Sequence, residues 1–156
     1  MSIFAQLGIK GGKERLHEET LYNLAACYAL AEKKVADELE PFGLSPVTMN
    51  ALLAVKHIGG KQGISQSDIG KRLVVTAGNI TRLLDRLEKQ KWVLRRPSDR
   101  DRRIKKIFIT ESGSKLLAQA WPHYIRRVRE IVSMLPKPEI QTTVRVLDQF
   151  RQCLSQ

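Results

Sequence analysis

The sequence predicts a mainly α-helical chain with one small β-hairpin, in the α+β class. In most of its 156 residues the apolar positions recur every three or four residues, the spacing of amphipathic helices. Only two short runs, 92–96 and 105–110, have the residue types and the alternation of strands. The two runs are neighbours in sequence, so we expect them to pair as a hairpin.

Two helices are expected before residue 59. The first runs from about His17 to Glu40, and Pro41-Phe42-Gly43 ends it. Ser45 is the expected N-cap of the second helix, with Pro46 at its first position, and this helix extends towards Ile58. The start of the chain has a few apolar residues but no basic region before them, so it is not expected to form a secretory signal, and we interpret residues 1–16 as a loose N-terminal arm.

A helix-turn-helix is expected next. The glycine-rich segment 59–63 breaks the second helix. Ser65, with Asp68 three residues later, resembles a capping box for a short helix that ends near Leu73. After a turn at residues 74–75, Thr76 caps a helix over 77–90. Two short helices joined by a tight turn and followed by a hairpin form a winged helix-turn-helix, here residues 45–110.

Two further helices follow the hairpin. The first begins near Thr110, and Pro122 inside it predicts a kink or a break near Trp121. The last runs to about Leu154. The first and last helices carry more apolar residues than a small winged helix can cover, so segments 17–44 and 111–156 are expected to form a dimerisation region. The alternative is that both helices pack within one chain.

The positive charge is concentrated in one segment. The chain carries a net charge of +11, and residues 61–106 hold 14 Lys and Arg against 5 Asp and Glu, a net +9. A localised basic face favours a polyanionic partner, and double-stranded DNA fits a helix-turn-helix. No apolar run is long enough to span a membrane, so no membrane partner is expected.

The helix that starts at residue 77 is the expected reader of the DNA major groove. Asn79 can pair with adenine and Arg82 with guanine, while small residues at its start permit close approach. Alternatively these residues form a solvated face, with Arg82 paired to Asp85, or Arg86 to Asp85 or Glu88. The helix residues predicted to contact DNA are Ser65, Gln66, Thr76, Ala77, Gly78, Asn79, Thr81, Arg82 and Arg86.

The hairpin tip, Pro97-Ser98-Asp99-Arg100-Asp101-Arg102-Arg103, concentrates arginines. Guanidinium groups suit the narrow, strongly negative minor groove. We interpret Asp101 as a side chain that orients the arginines. A loop that only solubilises the turn is the alternative.

The stretch from Ile64 to Gly113 resembles the MarR (multiple antibiotic resistance regulator) family of bacterial transcription regulators. The matching motifs are NITRLLDRLE, the wing sequence Asp101-Arg102-Arg103, and Ile109-Thr110 followed by Gly113. The resemblance implies a homodimeric repressor, with Arg103 at the wing tip supported by Arg102. Lys91 stands where the family commonly has glycine, so either Lys91 adopts a left-handed conformation or the helix ends differently.

The resemblance also implies a dimer built from terminal helices and, in many members, a small aromatic or anionic ligand. Residues expected at the dimer interface are Leu21, Leu24, Ile140, Val144, Leu147 and Phe150. Residues that are candidates for a ligand cleft are Tyr22, Tyr28, His57 and Trp121, although a histidine in the position of His57 is more often a helix-end cap.

No cofactor or metal site is expected, because the three histidines and two cysteines lack metal-ligand spacing. Cys27 is expected to be a buried structural cysteine and Cys153 a bystander. Two distant cysteines favour a reduced, cytoplasmic compartment. The resemblance implies a bacterium or archaeon, with the protein near its nucleoid.

Two other functional classes were weighed against a sequence-specific regulator. An enzyme is not expected, because no catalytic triad or phosphate-binding loop can be assembled from the sequence. A non-specific architectural DNA-binding protein would share the basic wing but would not need a base-reading helix.

Overall fold

The computed structural model describes residues 3–9, 13–73, 77–98, 101 and 104–155, with Lys13 and Ala77 described by their backbone only. Seven α-helices and a three-stranded sheet are present in this part of the chain. In chain order they are α1 (Ile3–Gln6), α2 (Leu16–Leu39), α3 (Pro46–Ala54), β1 (Ile64–Ser65), α4 (Gln66–Arg72), α5 (Ala77–Lys89), β2 (Val93–Pro97), β3 (Lys105–Ile109), α6 (Glu111–Val132) and α7 (Lys137–Leu154). This confirms the mainly helical α+β fold.

The N-terminal arm is not loose around Phe4. Helix α1 places this side chain against α2, where it is fully buried. Its ring meets Tyr22 edge to face with 5.9 Å between centroids, and the Arg15 guanidinium lies over it at 5.0 Å. The prediction was wrong here because a single aromatic anchor can hold a short segment that has too few apolar residues to show periodicity.

Helix α3 begins as predicted and ends in an unpredicted way. The Ser45 hydroxyl accepts a hydrogen bond from the Thr48 backbone N–H at 3.3 Å, and Pro46 occupies the first turn. After Ala54 the chain continues as a π-helical turn over Val55–Gly59. Gly60 and Gly63, both with positive φ, then reverse its direction.

The sheet contains one strand more than the sequence predicted. Its order is β1-β3-β2, with all pairs antiparallel. Ile64 in β1 lies opposite Ile107 in β3, while Val93 in β2 lies opposite Ile109. The two-residue β1 has no alternation of its own to reveal it, and Ser65 serves both as its last residue and as the N-cap of α4.

Helix α6 runs without a break through Pro122, so the predicted break does not occur. Its first half buries Leu117 and Ala120 in the core, and Tyr124, Val128 and Ile131 pack against the same core from the second half. Packing on both sides of Pro122 offsets the loss of one backbone hydrogen bond.

One hydrophobic core lies beneath the winged helix. It joins α5 (through Leu84 and Leu87) to Met49 and Leu52 of α3 and to strand residue Ile107, and all five are completely or almost completely buried. Helix α7, in contrast, has no buried residue. The core therefore fixes the position of α5, whereas the apolar residues of α7 are left exposed in the single chain.

The end of α5 is attached to the start of α6. Lys91 has a φ of 59°, so it adopts the left-handed conformation that was one of the two alternatives for this position. The hydroxyls of Thr110 and Ser112 each donate to the Lys91 carbonyl at 2.7 Å. A Cβ at Gly113 would lie 2.2 Å from the Trp92 carbonyl oxygen, so glycine is required for this close approach.

A charged cluster joins α2 to α6. Glu38, whose side chain is only 8% exposed, accepts from Arg126 at 2.6 Å and from Arg127 at 2.7 Å. His123 lies 3.3 Å from the same carboxylate. The hydrogen bonds from Arg126 and Arg127 hold the pKa of Glu38 below its ordinary value of 4.5, although burial opposes them.

We expect Glu38→Gln to reduce stability in a pH-dependent way. Because the folded-state pKa is lowered, the ionised carboxylate stabilises the fold above about pH 4.5 and loses that contribution as the pH falls through the folded-state value. Urea unfolding of both proteins, measured at the same protein concentration, gives the difference in their free energies of unfolding. This difference should be largest at pH 6–7 and should shrink below pH 4.5. Glu19→Gln, on the exposed start of α2, is the control, and a difference that does not change with pH would contradict this assignment.

Candidate DNA-binding surface and adjoining cavity

The start of α4 is fixed by a capping pair. The Ser65 hydroxyl accepts from the Asp68 backbone N–H at 3.1 Å and donates to the Asp68 carboxylate at 2.6 Å. This hydrogen bond lowers the pKa of Asp68, with further help from Lys71. Ser65 is buried, so the structure gives its side chain a capping role and leaves Gln66 at the surface edge of this turn.

Gln66 connects the two helices of the helix-turn-helix. Its side-chain amide donates to the Thr81 hydroxyl at 2.7 Å. Because Gln66 begins α4 and Thr81 lies in the first half of α5, the bond holds the N-terminal half of α5 against α4. Both residues were predicted to contact DNA, and the structure brings them together.

Helix α5 has one buried and one exposed face. Ile80, Leu83, Leu84 and Leu87 point into the core. The opposite face exposes the predicted base-reading and phosphate-contacting residues, namely Gly78, Asn79, Thr81, Arg82 and Arg86. Thr76 and the side chain of Ala77 lie outside the described residues. The helix thus presents polar groups on the side away from the core, as a groove-reading helix must.

The acidic residues of α5 form ion pairs with a strand residue. Arg95 of β2 binds Asp85 at 2.7 Å and Glu88 at 2.6 Å. Among the described residues, neither Arg82 nor Arg86 forms an ion pair, so the pairing within the helix that was weighed against DNA contact does not occur. The sequence did not indicate Arg95, because its partners lie seven and ten positions away on another element.

The wing consists of β2 and β3. Towards its tip, the Ser98 backbone N–H donates to the Ile104 carbonyl at 2.8 Å, and the Ile104 N–H donates to the Asp101 carbonyl at 3.0 Å. Asp101 is exposed. The predicted minor-groove residues Arg100, Arg102 and Arg103 lie outside the described residues, as does any contact between them and Asp101. Arg96 lies over the Phe108 ring at 5.8 Å.

A cavity of about 1160 Å³ adjoins the exposed face of α5. Three of the four predicted ligand residues, Tyr28, His57 and Trp121, line it together. Tyr22 does not line it, because its ring packs against Phe4. The sequence missed Tyr124, whose ring lies 5.6 Å from that of Trp121. Residues from helices α2, α3, α5 and α6 thus meet around one space.

Most of the charged residues in the largely apolar wall of this cavity are basic. Arg72, Arg82 and Arg86 line it, with Glu32 as the acidic counterpart. Asn79 also lines it, so the i, i+3, i+7 spacing of residues 79, 82 and 86 places the predicted DNA-reading groups on the cavity wall. Partial desolvation and a hydrogen bond to Glu32 raise the pKa of the Tyr28 phenol, which remains protonated at neutral pH.

The predicted dimer residues are mostly exposed in the single chain. Leu21 is 58% exposed and Val144 56%, while Leu147 and Phe150 are also exposed. Leu24 and Ile140 are half-buried. These side chains form apolar faces on α2 and α7 that the described part of the chain leaves uncovered.

Cys27 is exposed, so its prediction as a buried cysteine was wrong. The first half of α2 projects beyond the core, which buries Val35 and Leu39 near its other end. Cys153 is exposed as well. In the described residues there is no group of three or more His, Cys, Asp or Glu side chains that could hold a metal ion. Nor does any helix in the described ranges have the length and apolar character needed to cross a membrane.

Comparison with known proteins agrees with this geometry. A family model described as "MarR family" matches residues 42–104. The transcriptional regulator MhqR of Bacillus subtilis is 29% identical over 124 residues, which cover 80% of this chain and 83% of MhqR. The chain is thus similar to the MarR family over its winged helix-turn-helix and to a transcriptional regulator over most of its length, which agrees with the predicted functional class.

Solved structures show the same fold. A mutant of MarR from E. coli in complex with operator DNA aligns with a TM-score of 0.80 at 20% identity, covering 90% of this chain and 99% of that one. CouR from Rhodococcus jostii bound to p-coumaroyl-CoA aligns with a TM-score of 0.74 at 21% identity, covering 86% and 93%. The winged helix-turn-helix and the flanking helices of this chain therefore share the fold of these solved structures.

Proposed function

We propose that this protein is a homodimeric repressor of the MarR family that binds a specific pseudo-palindromic operator and is released by a small ligand, in the cytoplasm at the nucleoid. The observation that carries the proposal is the exposed face of α5, where Asn79, Arg82 and Arg86 project while Arg95 holds the acidic residues. A helix that served only as a solvated surface would be expected to use those acids for pairs within the helix.

Base reading falls to Asn79 and Arg82. An amide can bond adenine N6 and N7, and a guanidinium can bond guanine O6 and N7, each with two hydrogen bonds. The two residues lie one turn apart near the start of α5, the end of a recognition helix that contacts base edges. Gly78 permits close approach, and the Gln66–Thr81 pair contributes phosphate contacts at the flank.

The wing supplies the second contact in this proposal. Arg102 and Arg103 enter the minor groove beside the major groove that α5 reads, with Arg100 at the phosphates and Asp101 orienting the guanidinium groups. The net charge of +9 over residues 61–106 supports a surface that follows the DNA backbone on both sides of the recognition helix.

A selection from random duplex DNA tests sequence-specific binding. We expect a pseudo-palindromic winner, bound about a thousandfold more tightly than a scrambled duplex. Arg82→Ala should weaken binding to the winner by about tenfold to a hundredfold and change binding to the scrambled duplex little. Lys89→Ala, at the exposed end of α5, is the control and should weaken both equally. A steep salt dependence without any sequence preference would instead indicate an architectural protein.

The homodimer is supported by the uncovered apolar faces. Helix α7 buries no residue in the single chain but carries Val144, Leu147 and Phe150 at helical spacing. A two-fold interface would cover these residues and fix the distance between two recognition helices at one helical turn of DNA.

Sedimentation of a variant tests the homodimer. Leu147→Glu with Phe150→Glu should convert a dimer into a folded monomer, because neither side chain belongs to the core. Operator affinity should then fall by about a hundredfold, since each half-site is bound separately. Gln149→Glu, on the same helix, should remain dimeric. A wild-type monomer that binds one half-site would contradict the proposal.

The cavity supports a ligand that contains an aromatic ring and a carboxylate. Tyr28, Trp121 and Tyr124 offer ring surfaces, and the arginines from α4 and α5 offer charge for an anion. Because Asn79 and Arg82 also line the cavity, a carboxylate bound there would compete with DNA for Arg82 and shift α5 relative to α2. Release would follow from the loss of base contacts and from altered spacing between the two recognition helices.

Calorimetry with a panel of aromatic carboxylates tests this cavity. We expect at least one compound to bind and to weaken operator binding reciprocally. Trp121→Ala should abolish its binding, whereas Tyr22→Ala, which lies outside the cavity, should preserve it. Absence of binding across the panel, or loss of binding in Tyr22→Ala alone, would contradict the assignment.

A further inference from the structure

Arg95 lies at the contact between the recognition helix α5 and the wing strand β2. Its side chain is 17% exposed, and its two terminal nitrogens bind different carboxylates, Asp85 at 2.7 Å and Glu88 at 2.6 Å. Its backbone N–H also donates to Glu88, at 3.2 Å. Two hydrogen bonds and an ion pair from one strand residue therefore reach two residues one turn apart on α5.

The two carboxylates do not favour DNA binding by their charge. Asp85 is 58% exposed and Glu88 40%, on a helix that is expected to lie in a groove lined by phosphates. Exposed ion pairs contribute little to folding stability, and carboxylates near phosphates weaken association. The arrangement instead restricts geometry. A planar guanidinium held by two acids has only a narrow range of orientations, so the pairs limit how β2 can lie relative to α5.

This geometry bears on specificity. The recognition helix reads the major groove and the wing reads the neighbouring minor groove, so both fit their sequence only at one relative angle. Leu87 of α5 and Val93 of β2 belong to the same hydrophobic core, which holds the base of the wing, and Arg95 lies further towards its tip. Arg95 is thus the charged link between α5 and the strand that carries the wing tip.

We propose that Arg95, held by Asp85 and Glu88, is a positioning residue that sets the angle between recognition helix and wing and thereby the preference for the operator over other DNA. The inference rests on the proposed sequence-specific binding. It assigns no DNA contact to Arg95, which acts through the position of α5 and of the wing tip. It also explains why this basic surface retains two exposed acids.

Substitution of the acids gives the sharpest test, because position and charge predict opposite signs. Asp85→Asn with Glu88→Gln makes the surface more positive. If the acids act only through charge, affinity for both the selected duplex and a scrambled duplex should rise. If they position Arg95, affinity for the selected duplex should fall and the ratio of the two affinities should drop about tenfold or more.

Arg95→Met and Arg96→Met form a matched pair. Each removes one positive charge from β2, but Arg96 lies against Phe108 and not against α5. We expect Arg95→Met to lower the affinity ratio and Arg96→Met to weaken both duplexes by the same factor. Arg95→Lys, which keeps the charge but cannot reach both acids as a planar fork, should behave like Arg95→Met.

The outcomes separate this inference from the proposed function. If no duplex is preferred by the wild type, sequence-specific binding itself fails. If a duplex is preferred and the ratio is unchanged in Asp85→Asn with Glu88→Gln, the positioning role is wrong while the proposed function stands. Should Arg95→Met fail to fold by circular dichroism, the variant of the two exposed acids decides alone.

Discussion

The fold depends on the chain reversal at Lys91 and Trp92. There the recognition helix ends, the wing begins, and the first turn of α6 is attached through the Thr110 and Ser112 hydroxyls. The reversal requires a left-handed residue, and the close approach of Gly113 leaves no space for a side chain. The Lys91 and Trp92 carbonyls lie between α5 and the wing and accept hydrogen bonds from the start of α6. A shift in α6 must therefore move the end of α5 and the base of the wing together. Helix α6 is therefore connected to the end of α5 and to the base of the wing by short, directional hydrogen bonds.

The exposed face of α5 is part of two surfaces. Its polar residues point away from the core, towards the position of a DNA groove, yet Asn79, Arg82 and Arg86 also line the cavity next to α2 and α6. In the proposed function, an anion in the cavity and a base edge in the groove would require the same guanidinium. Such regulation would need no long pathway through the protein, because the ligand and the DNA would share side chains. The Glu38 cluster joins α2 to α6, two of the helices that also line the cavity.

Local signals made much of the fold predictable. The caps at Ser45 and Ser65 are encoded by the residue and its near neighbours, and both occur as expected. A helix also begins after Thr110, as predicted. Strand β1, the burial of Phe4 and the Arg95 pairs depend on contacts between distant segments, which no periodicity records. The break at Pro122 was predicted from proline alone, whereas packing on both halves of α6 decided the outcome. For the site, the sequence located the basic helix and the wing, but it could not show that the cavity and the DNA-reading face share residues.

Footprinting on the selected operator tests the central claim, that a rigid helix and wing read adjacent grooves in a two-fold arrangement. The account predicts that guanine N7 is protected from dimethyl sulfate in two major-groove segments about one helical turn apart. It also predicts protection from hydroxyl radicals in the minor groove beside each segment. Protection of a single segment, or even protection along the duplex without a helical repeat, would contradict it.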